Sequence, residues 1–234
     1  MNRLPIDDFS DADLHALNLR HTWVTGTKDN RGRVLGRPGS IYDIPDWNVL
    51  AADRFFGLSG KSVVEFGSLE GAHTIALAQR AGAVTALEGR DENIEKTRLR
   101  LRLYGVTATV LKADIETCTP PKADLFFHSG VLYHLQDPVG HLMRLAPLSG
   151  GLLLNTHHAK TAKEEYVAPD RKSHKCWIYK EPPQGYKAGL RPFSRWLLLE
   201  DLLGVLGSLY SRVEVLRDTV ERNGPRVTIA CARS

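Results

Sequence analysis

The sequence predicts an α/β fold, a mostly parallel sheet with helices on both faces, and three observations carry that prediction. From Ser62 onward, apolar runs of strand length alternate with stretches of helical periodicity. The first strand runs straight into a glycine-bearing turn, Glu65 to Gly71, that opens a helix. The chain closes on two further strand-like runs joined by Glu221-Arg222-Asn223-Gly224-Pro225, a connection longer than the tightest turns but in the pattern of a terminal antiparallel pair.

Each element follows in order. Residues 1–58 carry turn clusters between short apolar pieces and read as an irregular arm with a helix near Asp46 to Phe56. SVVEF (62–66) is the first strand and AHTIALAQRAG (72–82) its helix; AVTALE (83–88) is the second strand and DENIEKTRLRLRLYG (91–105) its helix. TATVLKAD (107–114), ADLFFH (123–128) and GLLLNTH (151–157) follow as strands, with a helix over DPVGHLMRLAP (137–147). Strands separated by helices pair in parallel. The stretch from 158 to 195 is too long for a plain connector and predicts a working lid. Ser194 is the expected N-cap of a helix over RWLLLEDLLGVLGSL (195–209), before RVEVLRD (212–218) and RVTIACAR (226–233). Two regions result: an arm or cap over 1–58, and a main domain over 59–234 that contains the insertion 158–195.

Composition narrows the class. Of 234 residues, 42% are hydrophobic and 25% charged, so one sizeable core is expected and a disordered or fibrous chain is excluded. No run approaches the roughly 20 apolar residues of a membrane span, and the first fifteen residues lack a signal pattern, so the expectation is a cytoplasmic protein. Cys118, Cys176 and Cys231 form no C-x-x-C pair and read as reduced thiols. The net charge of +4 is uneven: residues 158–195 hold nine Lys/Arg against four Asp/Glu. That local excess reads first as a solvated face and second as a surface for an anionic or sugar-rich partner.

Candidate ligand contacts sit where open parallel sheets bind ligands, past the carboxyl ends of the strands. Gly67 and Gly71 give the first turn its freedom, although strand-to-helix turns also use glycine for packing. A pyrophosphate fingerprint requires glycine at 69, where the chain has Leu69, so a dinucleotide is disfavoured and an adenosine carrying an amino acid fits better. Glu88, ending the second strand, can accept both hydroxyl protons of a ribose. Asp114 offers an acceptor for an adenine amino group and Ile115 an apolar face, and the stretch from His128 to His134 closes the other side.

The pattern E-x-G-x-x-x-G over 65–71, the acid at 88, Ala113-Asp114-Ile115, and H-S-G-V-L-Y-H-L-Q-D-P over 128–138 together resemble class I S-adenosylmethionine-dependent methyltransferases. The resemblance is strong over about residues 60–158 and looser over the terminal hairpin. It implies a Rossmann-like seven-stranded sheet with an antiparallel last strand. It also implies that Glu65, Gly67, Ser68 and Gly71 line the methionine and ribose side, Glu88 holds ribose, Asp114 and Ile115 hold adenine, and His128 belongs to the same pocket. Ser68, Leu69 and Glu70 depart from the family's glycine-rich turn.

Methyl transfer is an in-line displacement, so the protein contributes alignment and, for a hydroxyl acceptor, removal of a proton. His157, His158 and His134 are the candidate bases, ranked in that order, because histidine titrates near neutrality. Asp137 reads as a helix cap, with a divalent-metal role as the lesser alternative. Tyr166, Trp177, Tyr179 and Tyr186 either stack on a sugar or pack the insertion down, and Trp23 and Arg31 to Arg37 are expected near the same opening. The whole is similar to bacterial sugar O-methyltransferases, which implies a small-molecule acceptor, carbohydrate and mannoside-like. The alternatives are a tRNA wobble-uridine alkyltransferase and a non-catalytic cofactor-binding subunit.

Overall fold

The computed structural model describes residues 9–29, 31–182, 185 and 187–233. Its centre is a seven-stranded sheet built from β3 (Ser62–Phe66), β4 (Ala83–Glu88), β5 (Thr109–Lys112), β6 (Ala123–Ser129), β7 (Ser149–His157), β11 (Arg212–Glu221) and β12 (Gly224–Ala232). The order is β11-β12-β7-β6-β3-β4-β5; β3 to β7 run parallel and β12 is antiparallel to both neighbours. This is the Rossmann-like fold expected.

Alternation along each strand sorts the core. Val64 and Phe66 of β3, Phe126 of β6 and Leu152 and Leu154 of β7 face α5 (Pro138–Leu145) and α6 (Leu199–Leu209). Val63, Leu125, Phe127 and Leu153 face α2 (Trp47–Phe56) and α3 (Ala72–Ala78). A third cluster joins Ile75 and Ala86 to α4 (Asp91–Tyr104) and to Leu14 of α1 (Asp11–Arg20). Among the described residues, no helix is long and apolar enough to cross a membrane.

The arm is more ordered than its turn clusters suggest. Besides α2, the helix expected near Asp46 to Phe56 and capped by Asp46, it holds α1 and the short antiparallel pair β1 (Gly26–Lys28) and β2 (Val34–Gly36). The start of α1 is a capping box: the Asp13 amide donates to Ser10 Oγ at 3.1 Å and the Ser10 amide donates back to Asp13 at 2.9 Å.

The insertion is itself a sheet, in which β9 (Ser173–Lys180) pairs with β8 (Glu164–Val167) and β10 (Phe193–Leu197). This corrects the expected cap at Ser194. The run Phe193 to Leu197 pairs with β9, Ser194 opposite Tyr179, so α6 starts only at Leu199 and its N-cap is Leu198. A bulky aromatic and aliphatic segment gains more by pairing than by opening a helix.

Candidate active site

The sequence's first turn is held open by its neighbours. Gly67 has φ +75°, and a Cβ there would lie 2.5 Å from Val131 Cγ2, so glycine lets the turn pass the β6 loop. Leu69 adopts φ +50°, a rare conformation for a bulky residue, and its amide donates to Glu88 Oε2 at 2.9 Å. The Glu70 carboxylate is spent on the arm: Oε1 accepts from the Val24 amide (2.7 Å), Oε2 from the Thr25 amide (3.0 Å), and Lys96 and Arg100 stand 3.5 and 3.4 Å away. The departures from a glycine-rich turn therefore have a cause, since Glu70 ties the arm to the turn.

Above the rim of β3 to β7 lies a cavity of ≈420 Å³, the size of a small-molecule site. Gly67, Ser68, Glu88, Asp114, Ile115, His134 and His157 line it. At one end, Glu88 is nearly buried, with Oε2 on the Leu69 amide and Oε1 on the Arg90 amide at 3.0 Å. Burial pushes its carboxyl upward, opposed by those backbone donors. Each oxygen keeps acceptor capacity for a further hydrogen bond. Asp114 accepts from the Glu116 amide at 3.1 Å and from the Arg191 guanidinium of the insertion. Residues 187–191 form the wall here: Arg90 Nη2 donates to the Ala188 carbonyl at 2.8 Å and Leu190 packs on Gly89.

The other end carries histidines and phenols. His134 Nδ1 lies 2.8 Å from Glu181 Oε1. Burial raises the Glu181 carboxyl, but hydrogen bonds from His134, the Gly189 amide and Ser194 outweigh it and hold it below the usual range. Glu181 is thus an acceptor only, and Nδ1 carries the ring proton, leaving Nε2 as a lone pair. His157 Nδ1 donates to the Pro225 carbonyl at 3.0 Å, and its ring stacks on Trp196 with centroids 5.0 Å apart. Burial, then Arg226, lowers its pKa, so it is neutral near pH 7. Sequence reasoning did not single out Tyr42, Asn48, His73 and Arg226, which share this wall. Their signals were weak, because three come from the arm and the last strand, and His73 lies inside a helix.

Four expected site residues stand off the cavity. Glu65 is 1% exposed beneath it; its Oε2 accepts from Thr74 Oγ1 at 2.5 Å and its Oε1 has no partner. Gly71 opens α3 against α4, where a Cβ would lie 3.0 Å from Thr97. His128 points into the core, stacked on Phe66 and 3.0 Å from His141 Nε2; burial lowers its pKa to about 3. His158 turns its ring away from the cavity, as strand alternation requires next to His157, and its Nδ1 pairs with the Ala159 carbonyl at 3.2 Å. Asp137 caps α5 through the Gly140 amide at 2.9 Å. Among the described residues no three His, Cys, Asp or Glu are grouped to hold a metal ion.

The remaining aromatic and basic expectations resolve into packing. Trp23 is buried against Arg100, whose guanidinium carbon lies 4.9 Å from its ring centroid. Arg33 pairs with Asp29 at 2.7 Å, and neither Arg31, Arg33 nor Arg37 lines the cavity. Tyr179 stacks on Trp196 and Trp177 meets it edge-on, while the Tyr166 hydroxyl accepts from the Val139 amide at 3.3 Å, so these rings hold the insertion to the domain. Tyr186 lies outside the described residues.

Burial of Glu65 has a measurable consequence. Desolvation raises its pKa from 4.5 to about 7, which means that the folded state binds its proton more tightly than the unfolded chain. Stability from this group is complete below about pH 4.5 and is lost as the pH climbs through about 7. Glu65→Gln, which keeps an acceptor for Thr74, is expected to raise the melting temperature at pH 7.5 while leaving it unchanged at pH 4. Thermal unfolding across that range checks it, and equal shifts at both ends would contradict the assignment.

Comparison with known proteins places this architecture. Residues 64–148 match the family described as "Methyltransferase domain". A 69-residue stretch is 42% identical to a probable cobalt-precorrin-6B C(15)-methyltransferase (decarboxylating) of Halobacterium salinarum, covering 29% of this chain and 37% of that relative. The chain thus matches little more than a third of that protein's length. The N-terminal domain of EvdMO1, solved in the presence of SAH and D-fucose, superimposes with TM-score 0.82 at 24% identity over 97% of this chain and 98% of that domain. The longer EvdMO1 structure is covered over 49% of its length. Magnesium protoporphyrin IX methyltransferase (ChlM) from Synechocystis PCC 6803 gives 0.56 at 17% identity over 80% of this chain and 76% of that one. Family match and shared architecture point the same way: residues 64–148, about a third of the chain, are similar to a methyltransferase domain, and the seven-stranded fold is the one shared with the EvdMO1 domain and the ChlM methyltransferase.

Proposed function

We propose that the protein is an S-adenosylmethionine-dependent O-methyltransferase whose acceptor is a hydroxyl of a carbohydrate, of the mannoside type or a deoxyhexose. The observation that carries this reading is that one cavity is lined by two chemistries, the ribose-type acceptor Glu88 at the end of β4 and, past β6, a histidine backed by a buried carboxylate. The residues fit an adenosyl group. Glu88 is fixed by two backbone amides, Ile115 offers an apolar face, Asp114 an acceptor, and Gly67 lines the cavity beside them.

When bound, S-adenosylmethionine supplies an electrophilic methyl carbon and departs as a neutral thioether. The chain's part is alignment and proton removal. His134 Nε2 takes the acceptor's hydroxyl proton, while Glu181 fixes the ring by its Nδ1–H and stabilises the imidazolium that forms. His157, neutral and clamped between Pro225 and Trp196, is an orienting acceptor or donor for a second hydroxyl. Asn48, Asn223, Arg226, Tyr42 and Tyr133 line the same wall, a hydrogen-bonding surface suited to a sugar rather than to a flat apolar acceptor. That the EvdMO1 domain was solved in the presence of SAH and D-fucose supports a sugar acceptor.

The test is incubation of the pure protein with S-adenosylmethionine and a panel of methyl mannoside, methyl glucoside, D-fucose, phenol and an amine. Methylation of a sugar hydroxyl is expected, and transfer only to phenol or amine, or to none, would reject the acceptor assignment.

A further inference from the structure

We propose that His73 receives the carboxylate of the ligand's amino-acid end, and so distinguishes an adenosyl amino acid from a bare nucleoside thioether. The inference rests on the adenosyl reading and adds a residue that neither motif nor family match assigns. Glu88 and Asp114 follow β4 and β5, which places the nucleoside at that edge; the next strand inward is β3, and beyond it stand Gly67 and then His73, in the first turn of α3. The part of the ligand that extends from the ribose away from the base therefore faces His73.

Three groups fix the character of that ring. Its Nε2 lies 3.0 Å from Asp46 Oδ2 and 2.8 Å from the Tyr42 hydroxyl, and the Tyr42 hydroxyl donates to the same Asp46 oxygen at 3.2 Å. Burial would raise the Asp46 carboxyl, but its hydrogen bonds, that from His73 first, outweigh burial and keep it ionised. Asp46 is therefore an acceptor, and Nε2 carries a proton. Burial works against a second proton on the ring, yet the paired Asp46 and then the buried Glu65 outweigh it and lift His73 above the ordinary histidine range, with Arg226 opposing. Nδ1 makes no hydrogen bond to any described residue, and the ring borders the cavity. A ring whose second proton is favoured by a paired carboxylate, with Nε2 spent on that carboxylate and Nδ1 left for a ligand, is a site for an anionic oxygen.

Arg226, also on this wall, has its charge met by Glu221 at 3.4 Å, and its Nη2 donates to the Tyr133 hydroxyl at 3.2 Å. Asp46 thus faces His73 and Glu221 faces Arg226, and His73 Nδ1 is left without a described hydrogen-bond partner on this wall. The same ring would serve a carboxylate borne by the acceptor, and the choice of ligands separates the two sources.

The experiment is calorimetry on the intact protein with S-adenosylhomocysteine, its decarboxylated analogue, and 5′-methylthioadenosine. The unmodified protein is expected to prefer S-adenosylhomocysteine over the decarboxylated analogue by about ten- to a hundred-fold, the worth of one charge-assisted hydrogen bond. His73→Gln is expected to shrink that ratio to about one-tenth of its value or less while affinity for 5′-methylthioadenosine is kept. A ratio that survives the substitution, a ratio near one in the unmodified protein, or equal weakening of all three ligands overturns the proposal. A second readout needs no variant: the His73 imidazole resonance should titrate at higher pH with S-adenosylhomocysteine bound than with the decarboxylated analogue, and an equal titration also overturns it. Failure of every adenosyl ligand to bind is a different result, which rejects the cofactor reading itself.

Discussion

Replacing His134 with glutamine is expected to lower the rate of methyl transfer by about 10² to 10⁴-fold, the usual contribution of a positioned general base. KM for the cofactor should hardly change, because Glu88 and Asp114 stand at the ends of β4 and β5 whereas His134 follows β6. His134 is 19% exposed at its side chain, so its loss opens no core cavity, and the melting temperature should stay within a few degrees. Glu181→Gln provides the internal control. It keeps acceptor oxygen for His134 and Ser194 but removes the charge that stabilises imidazolium, so the rate should fall less and the pH profile should move to lower pH. Single-turnover rates across pH 5.5 to 9 check both variants. A full-rate His134→Gln enzyme would hand the base role to another group, with His157 the first candidate on this wall.

The second large effect is at Glu88. Glu88→Ala removes two groups' worth of structure at once: the acceptor for a ribose and the carboxylate that holds the Leu69 and Arg90 amides. Charge-assisted hydrogen bonds contribute about 1.5 to 3 kcal/mol each, so affinity for S-adenosylhomocysteine is expected to drop about 10³-fold or more. Glu88→Gln keeps one acceptor oxygen and should lose less. Titration calorimetry distinguishes the outcomes, and unchanged affinity in Glu88→Ala would remove the ribose assignment. Leu69 makes the effect larger than hydrogen bonds alone suggest, because its left-handed backbone relaxes once the carboxylate that restrains it is gone.

Much of this was written into the chain at short range. Strand and helix alternation from Ser62, the caps at Asp46 and Asp137, and the acid ending β4 all depend on neighbours within a few residues, and local patterning reports them. The seven-stranded order and its antiparallel strand came through a family resemblance, since no local signal places β12 between β7 and β11. What sequence could not reach were partnerships across the fold. His134 with Glu181 spans 47 positions, His73 with Tyr42 spans 31, and Glu70 with Val24 spans 46. His128 shows the reverse error: a histidine beside a motif looks like a ligand contact until strand alternation turns it into the core. Ser194 failed for a related reason, as a capping residue means little when the next segment finds a strand partner.

The ion cluster under the first turn alters what residues 1–58 are. Lys96 and Arg100 have no exposed side-chain surface and Glu70 almost none, and the shielding comes partly from Trp23 and from Thr22, Val24 and Thr25, whose backbone groups complete the bonding. Stripping the leading segment away would remove the ring that covers them and uncover two cations and a carboxylate. Stranding one member of such a set costs about 3 to 5 kcal/mol, a large share of the margin by which a domain stays folded. What reads as an appendage is therefore a keystone, and the hinge of sequence pattern near residue 58 is no place to divide the molecule.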